Sequence, residues 1–201
     1  YELGGMFFEK DSYSNIIDQL DNPAVFGMSC YVWNANFNDG LAQQIKKRYP
    51  ECLIVYGGPH LPQSADDDWW GEHSYVDAVV YYEGEKVFAD ILRCEDRGSI
   101  AEIPNVCVNF GSHWTYSNDP TANRIRDLQV IPSPYASELF KNVQANNAAL
   151  FETHRGCPYA CTFCDWGSLT YTKVTKYDID RIRADIEWAA KNKIGFLYNV
   201  D

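Results

Sequence analysis

Apolar positions along this chain fall into short runs, separated by stretches in which apolar and polar residues alternate with helical period. Residues 24–31 (A-V-F-G-M-S-C-Y) and 52–56 (C-L-I-V-Y) are near-continuous apolar runs, the pattern of strands buried on both faces of a parallel sheet. Residues 76–82 read as a third such strand, and the apolar, glycine-containing residues 1–8 as the tail of another. Residues 12–21 place Ile16, Ile17 and Leu20 on one helical face before Asn22-Pro23 breaks the pattern. Residues 38–49 form a second amphipathic helix, with Leu41, Ile45 and Tyr49 inward. Its Lys46, Lys47 and Arg48 gather at the C-terminal end, where cations complement the helix dipole, and Pro50 stops it. Asp66-Asp67-Asp68-Trp69-Trp70 opens a short helix, the acidic run being a solvated face, and another runs from Glu83-Gly84-Glu85 to about Leu92. Strands alternating with helices predict βαβ units and a parallel sheet, whose ligands sit at the carboxyl ends of the strands. Three loops then converge on one rim: residues 29–34, 57–60 and 83–85. Glycines there let a ligand approach the backbone.

Further along, residues 103–108 and 113–116 suggest a small hairpin around Gly111-Ser112, and residues 127–135 an extended crossing stiffened by Pro132 and Pro134. Residues 148–153 read as a strand. Residues 178–192 read as a helix with Ile179, Ile182, Ile186 and Ala189 inward and Trp188 beside them, and residues 194–200 as a second strand with Asp201 at its end. The expected division is 1–93, a hairpin-and-proline linker over 94–147, and 148–201.

The chain has 201 residues and a net charge of −11, which argues against a nucleic-acid surface. With 46% hydrophobic and 15% aromatic residues it is globular, and no apolar run is long enough to span a bilayer. Neither a signal peptide nor an internal repeat is visible. Of seven cysteines, four are scattered: Cys30, Cys52, Cys94 and Cys107 lie in or near apolar segments and read as small buried hydrophobes. This usage fits a reducing, cytoplasmic setting.

The other three cysteines carry chemistry. In H-R-G-C-P-Y-A-C-T-F-C, Cys157, Cys161 and Cys164 stand at C-x3-C-x2-C spacing in one short loop. Thiolates so close suit an iron–sulfur cluster. Three ligands leave one iron of a cubane cluster open to a small molecule. With His154 the same cysteines could instead form a Cys3His zinc site. A disulfide is less attractive, because three cysteines leave an odd one and nothing suggests export.

The spacing, with Phe163 just before the third cysteine, resembles the signature of the radical S-adenosylmethionine (radical SAM) enzymes. That resemblance implies a [4Fe–4S] cluster whose open iron is chelated by SAM, and reductive cleavage of SAM to a 5′-deoxyadenosyl radical. It also implies an electron donor such as flavodoxin or ferredoxin. Phe163 would lie against the adenine of SAM, and Asp201 would be a polar group near it. Trp166, Tyr171 and Lys173 could line the loop, although a structural role suffices for each. Residues 148–201 would be the first strand–helix–strand of a TIM-like partial barrel, too little to bury a barrel's core unaided. The chain is therefore expected to be a fragment of a longer enzyme and inactive alone.

V-F-G-M-S-C-Y-V-W-N, L-I-V-Y-G-G-P-H and V-D-A-V-V-Y-Y-E-G-E resemble the Rossmann-like cobalamin-binding domain found ahead of many radical SAM barrels. The likeness implies that Ser29, Gly57 and Gly58 surround the nucleotide tail of cobalamin. It departs in one respect: the D-x-H-x-x-G motif that gives many cobalamin proteins a histidine ligand to cobalt is absent. That motif either lay in a missing N-terminal part or is dispensed with. His60, the only histidine on the rim, reads as a loop histidine. The expectation is an α/β chain, a Rossmann-like parallel sheet followed by the start of the barrel. The reaction implied is radical chemistry such as methylation of an unactivated carbon, with radical rearrangement or ring chemistry behind it, in a small-molecule or peptide substrate and with no nucleic acid or membrane partner. Two rivals are a methylthiotransferase-like radical SAM enzyme without cobalamin, and a non-catalytic zinc or iron–sulfur binding module.

Overall fold

The structure, a computed structural model, describes all residues except 63–66, 118, 120, 121, 123, 138, 139, 141–146, 160, 164–173 and 201. The chain divides into two compact units, residues 1–124 and 125–201.

The first unit is built on a four-stranded sheet of β1 (Val25–Ser29), β2 (Leu53–Gly57), β3 (Ala78–Val80) and β4 (Val106–Val108), in that spatial order. The first three are parallel and β4 is antiparallel. Helices cover both faces, as the alternating pattern predicts. Strand residues Met28, Ile54, Tyr56, Val79 and Cys107 point to a core shared with α1 (Tyr13–Ile17), α2 (Ala35–Arg48) and α3 (Asp67–Glu72). Their neighbours Val55, Ala78, Val80, Val106 and Val108 point to the other core, with α4 (Gly84–Ile91) and α5 (Arg97–Ala101). This is the two-faced burial that continuous apolar runs require.

Three details differ from the sequence expectation, the first being that residues 1–8 form no strand. Residues 106–108 join the main sheet as its antiparallel edge, because V-C-V buries side chains on both faces. The expected turn around Gly111-Ser112 is also present: Asn109 and Trp114 form a bridge, and the Phe110 and Thr115 N–H groups donate to the His113 and Val108 carbonyls at 3.0 and 3.1 Å. α5 is also new: Asp96 caps it by accepting from the Ser99 N–H at 2.8 Å. Cys30, Cys52 and Cys107 are buried as expected, and burial pushes the Cys30 and Cys52 thiols up to about 11. Cys94 is only half-buried.

Asp77, at the amino end of β3, is buried and charged. Its carboxylate pairs with Lys46 Nζ at 2.6 Å and Arg97 Nη2 at 2.5 Å, and accepts from the Ile54 N–H at 2.7 Å. At the other end, Tyr56 donates to Asp39 at 3.1 Å, and His73 pairs with Asp39 at 3.8 Å. Burial opposes either charge. The nearby His73 and the Tyr56 hydrogen bond nonetheless hold Asp39 below the usual carboxylate range, and Asp39 and the Trp69 carbonyl hold His73 above its own.

The second unit contains β5 (Ala148–Phe151), β6 (His154–Arg155), β7 (Thr175–Lys176), α6 (Ile179–Lys191) and β8 (Phe196–Asn199). β5 and β8 pair in parallel, with α6 between them in sequence, which is the expected strand–helix–strand. α6 buries a narrower face than predicted. Asp185 and Ala189 are buried and Ile182 packs on the core of Ile125, Leu128 and Tyr177, but Ile179 is 59% and Ile186 44% exposed. Asp185 holds an inward position by accepting from the Ser133 hydroxyl at 2.5 Å and pairing with Arg181. Trp188 stacks on Tyr135 instead, their ring centres 4.6 Å apart. No described helix is long and apolar enough to cross a membrane.

Removing one member of a buried charge cluster leaves the rest uncompensated. Asp77→Ala is expected to lower stability by about 3 kcal/mol or more, read as a fall in the urea midpoint. The Asp39–His73 pair has its own pH signature. His73 stabilises fully below its unfolded pKa of about 6.5, and that contribution is lost as pH rises through its raised folded value. Asp39 stabilises fully above about 3.9 and loses this as pH falls through its lowered folded value. The pair contributes most between about pH 4 and 6.5, so His73→Asn should lower the urea midpoint most inside that window and progressively less as pH rises above it.

Candidate functional site

The three parallel strands of the first unit end in register, with Ser29 opposite Gly57 and Gly57 opposite Val80. Ser29, Gly57 and Gly58, all singled out from sequence, therefore stand together on the carboxyl edge of the sheet. Ser29 is exposed, and its carbonyl accepts from the side-chain amides of Asn34 at 2.9 Å and Asn38 at 3.0 Å. Asn34 also accepts from the Tyr31 N–H at 2.7 Å. The next loop locks onto this one: Cys30 N–H donates to the Gly57 carbonyl at 2.6 Å, and His60 N–H donates to the Cys30 carbonyl at 3.2 Å. Gly58 has φ +115°, and a Cβ there would lie 2.5 Å from the Cys30 carbonyl oxygen. Its need for glycine is thus set within the chain by the close approach of the two loops. Tyr82, in the left-handed region at φ +64°, turns the third loop into α4, whose first turn holds Glu85. His60 is an exposed loop residue, as expected.

In the second unit the cysteine loop has a stem. β6 and β7 pair antiparallel, Arg155 opposite Thr175 and His154 opposite Lys176, and the Tyr177 N–H donates to the Thr153 carbonyl at 3.1 Å. This ladder joins the chain on either side of residues 156–174. Gly156, buried and at φ +106°, makes the turn out of β6 that brings Cys157 in. Cys157 is half-buried and Cys161 exposed, both as free thiols, and Phe163 is 91% exposed. Cys164 and Asp201 lie outside the described residues, as do Trp166, Tyr171 and Lys173. Among the described residues no three possible ligands gather as a metal site. Two unpaired thiols on one glycine-opened loop form a donor set that fits a thiolate-held cluster.

Sequence reasoning missed what holds this stem. Arg155 donates to Glu152 through Nε and Nη2, both at 2.9 Å, and the Tyr177 hydroxyl donates to the same carboxylate at 3.2 Å. Burial, and then the nearby Glu152 charge, raise the Tyr177 pKa. On the Tyr177 ring lies Arg181, its guanidinium carbon 4.0 Å from the ring centre. The signal was present as E-x-x-R directly ahead of the first cysteine.

No protein-family model matches the chain. The cobalamin-dependent radical SAM methyltransferase TokK of Streptomyces tokunonensis is 36% identical over the whole of this chain and 30% of its own length. The chain is homologous to the cobalamin-dependent radical SAM methyltransferases. The 2-(S-pantetheinyl)-carbapenam-3-carboxylate methyltransferase of Streptantibioticus cattleyicolor is 34% identical over the same shares of each chain. Against both methyltransferases the chain spans about 30% of their length. Among solved structures, the radical SAM methyltransferase TsrM of Kitasatospora setae shares the fold. Its complex with tryptophan and a SAM analogue gives a TM-score of 0.62 at 14% identity, over 94% of this chain and 38% of that one. Its complex with cobalamin and a [4Fe–4S] cluster gives 0.59 at 15% identity, over 95% and 41%.

The interlocked rim generates a prediction. In Gly58→Ala the methyl group meets backbone, which cannot swing aside, and φ is one that L-residues rarely adopt. A loss of about 1–3 kcal/mol is expected, measured by thermal unfolding.

Proposed function

We propose that this chain supplies the cobalamin-binding and cluster-bearing parts of a radical SAM methyltransferase acting on an unactivated carbon of a small molecule. One observation carries the reading. The C-x3-C-x2-C loop follows the first strand of a parallel strand–helix–strand, in a chain 36% identical along its whole length to a cobalamin-dependent radical SAM methyltransferase.

Cys157, Cys161 and Cys164 would hold iron as thiolates, Phe163 would lie against the adenine of SAM, and Asp201 would add a polar group nearby. Ser29, Gly57 and Gly58 would contact the nucleotide tail of cobalamin. Once bound, the cluster supplies the electron that cleaves SAM, and cobalamin carries the methyl group. The chain's own residues position and enclose. Gly156 and the β6–β7 ladder aim the cysteine loop, and the hydrogen bonds around Ser29 and Cys30 fix the rim. The net charge of −11 favours a small molecule over nucleic acid, and tryptophan is the substrate bound in TsrM. Free thiols suit the cytoplasm, where flavodoxin or ferredoxin can deliver the electron.

The test is anaerobic reconstitution with iron and sulfide, followed by EPR of the reduced protein with and without SAM. A [4Fe–4S] signal that changes when SAM is added is expected; stoichiometric zinc and no cluster would overturn the reading. Alanine at Cys157, Cys161 or Cys164 should abolish reductive SAM cleavage by the full-length protein. Corrin absorption retained after gel filtration with added hydroxocobalamin is the expected result for the first unit. Its absence would favour a methylthiotransferase-like enzyme instead.

A further inference from the structure

Glu152 and Arg155 frame the point where the chain leaves β5 and enters the cysteine loop. Glu152 is the first residue after β5, and Arg155 is the last of β6, two residues before Cys157. Their side chains are 23% and 16% exposed, and the guanidinium meets the carboxylate through two parallel hydrogen bonds of 2.9 Å. Such a paired contact fixes direction as well as distance. Tyr177, beyond the other strand of the stem, adds a third bond to the same carboxylate and is itself 7% exposed. One carboxylate therefore joins the exit of β5, the end of β6 and the residue after β7. The two-residue β6 and β7 have little side chain to bury, so this contact adds to their short backbone ladder in aligning them.

The charges matter as much as the geometry. Arg155 places a permanent cation two residues from a cluster-ligating position. Iron–sulfur potentials respond to nearby charge and hydrogen bonds. A cation left alone there favours the reduced, more negative cluster; the carboxylate cancels that bias.

We propose that the Glu152–Arg155 pair, supported by Tyr177, is a positioning and charge-neutralising clamp for the cluster loop. It aims Cys157 and keeps the cluster's potential low enough to reduce SAM. The inference rests on reading Cys157, Cys161 and Cys164 as cluster ligands, and adds three residues that act through them.

The test uses the chain reconstituted anaerobically with limiting iron and sulfide, in the unsubstituted form and as Glu152→Gln, Arg155→Gln and Tyr177→Phe. Iron and sulfide per chain, the EPR-monitored midpoint potential and the thermal midpoint are read for each. Glu152→Gln and Arg155→Gln should load about tenfold more weakly, the scale on which outer supports of metal sites act. Their potentials should move in opposite directions, less negative for Glu152→Gln and more negative for Arg155→Gln. A purely structural role would weaken loading without opposite-signed shifts. Tyr177→Phe should load more weakly than the unsubstituted chain with little change in potential. Normal loading, or shifts of the same sign, overturns the clamp while leaving the cluster assignment intact. An unsubstituted chain that takes zinc and no cluster overturns both. If either glutamine variant does not fold, Glu152→Asp carries the test: the charge stays and the reach shortens, so loading should fall about tenfold at unchanged potential. Loading equal to the unsubstituted chain overturns the proposal.

Discussion

A single buried carboxylate ties together the amino-terminal edge of the first unit. Asp77 sits at the start of β3, its side chain 4% exposed, and two cations reach it from opposite faces of the sheet. Lys46 comes from α2 and Arg97 from α5. The main chain at the same residue continues the pattern: its N–H donates to the Ile54 carbonyl and its carbonyl accepts from Asn109. Arg97 then reaches on to the Asn109 carbonyl. A buried ion costs several kcal/mol unless it is compensated, and here the compensation requires β2, β3, both helix layers and the segment after β4 to be in place at once. The sheet is thus fastened at its amino edge, at the opposite end of the strands from the candidate rim.

The parts of this arrangement that were legible in the sequence are those fixed by local pattern. V-F-G-M-S and L-I-V-Y-G read as buried strands because both faces of each are covered, so no polar alternation interrupts them. The helix over 35–48 announced itself through Leu41 and Ile45 and its basic last turn. The cysteine motif was readable because three cysteines at C-x3-C-x2-C spacing form a purely local pattern. What escaped depended on partners distant in sequence. β4 looked like half of a local hairpin, since nothing nearby says that V-C-V pairs with β3. α5 escaped because it is a five-residue helix containing a glycine, held by its Asp96 cap rather than by an apolar stripe. The inward face of α6 was assigned from its isoleucines, yet Asp185 takes an inward place because Ser133 and Arg181 satisfy its charge. Glycine at position 58 was readable as a tight turn, but its cause, the backbone at Cys30, was not.

Each unit carries its candidate chemistry just past the end of parallel strands. In the first, β1, β2 and β3 deliver Ser29, Gly57 and the start of α4 to one edge. In the second, β5 leads through Glu152 into the stem of the cysteine loop, and α6 then returns the chain to β8 beside β5. Rigid elements set the position, while the candidate ligating and contacting groups follow on the segments beyond them.

The interlock between the loop at Cys30 and the loop at Gly58 has a thermodynamic consequence. Two asparagine amides already hold the Ser29 carbonyl, and Cys30 already bonds to both Gly57 and His60. The backbone around the rim has surrendered its conformational freedom during folding, before any ligand arrives. A guest docking there would forfeit little affinity to ordering loops, and more of its contact energy would appear as binding. It would also find one shape on offer, so selectivity among guests would come from fit to a preset edge rather than from a loop that adapts.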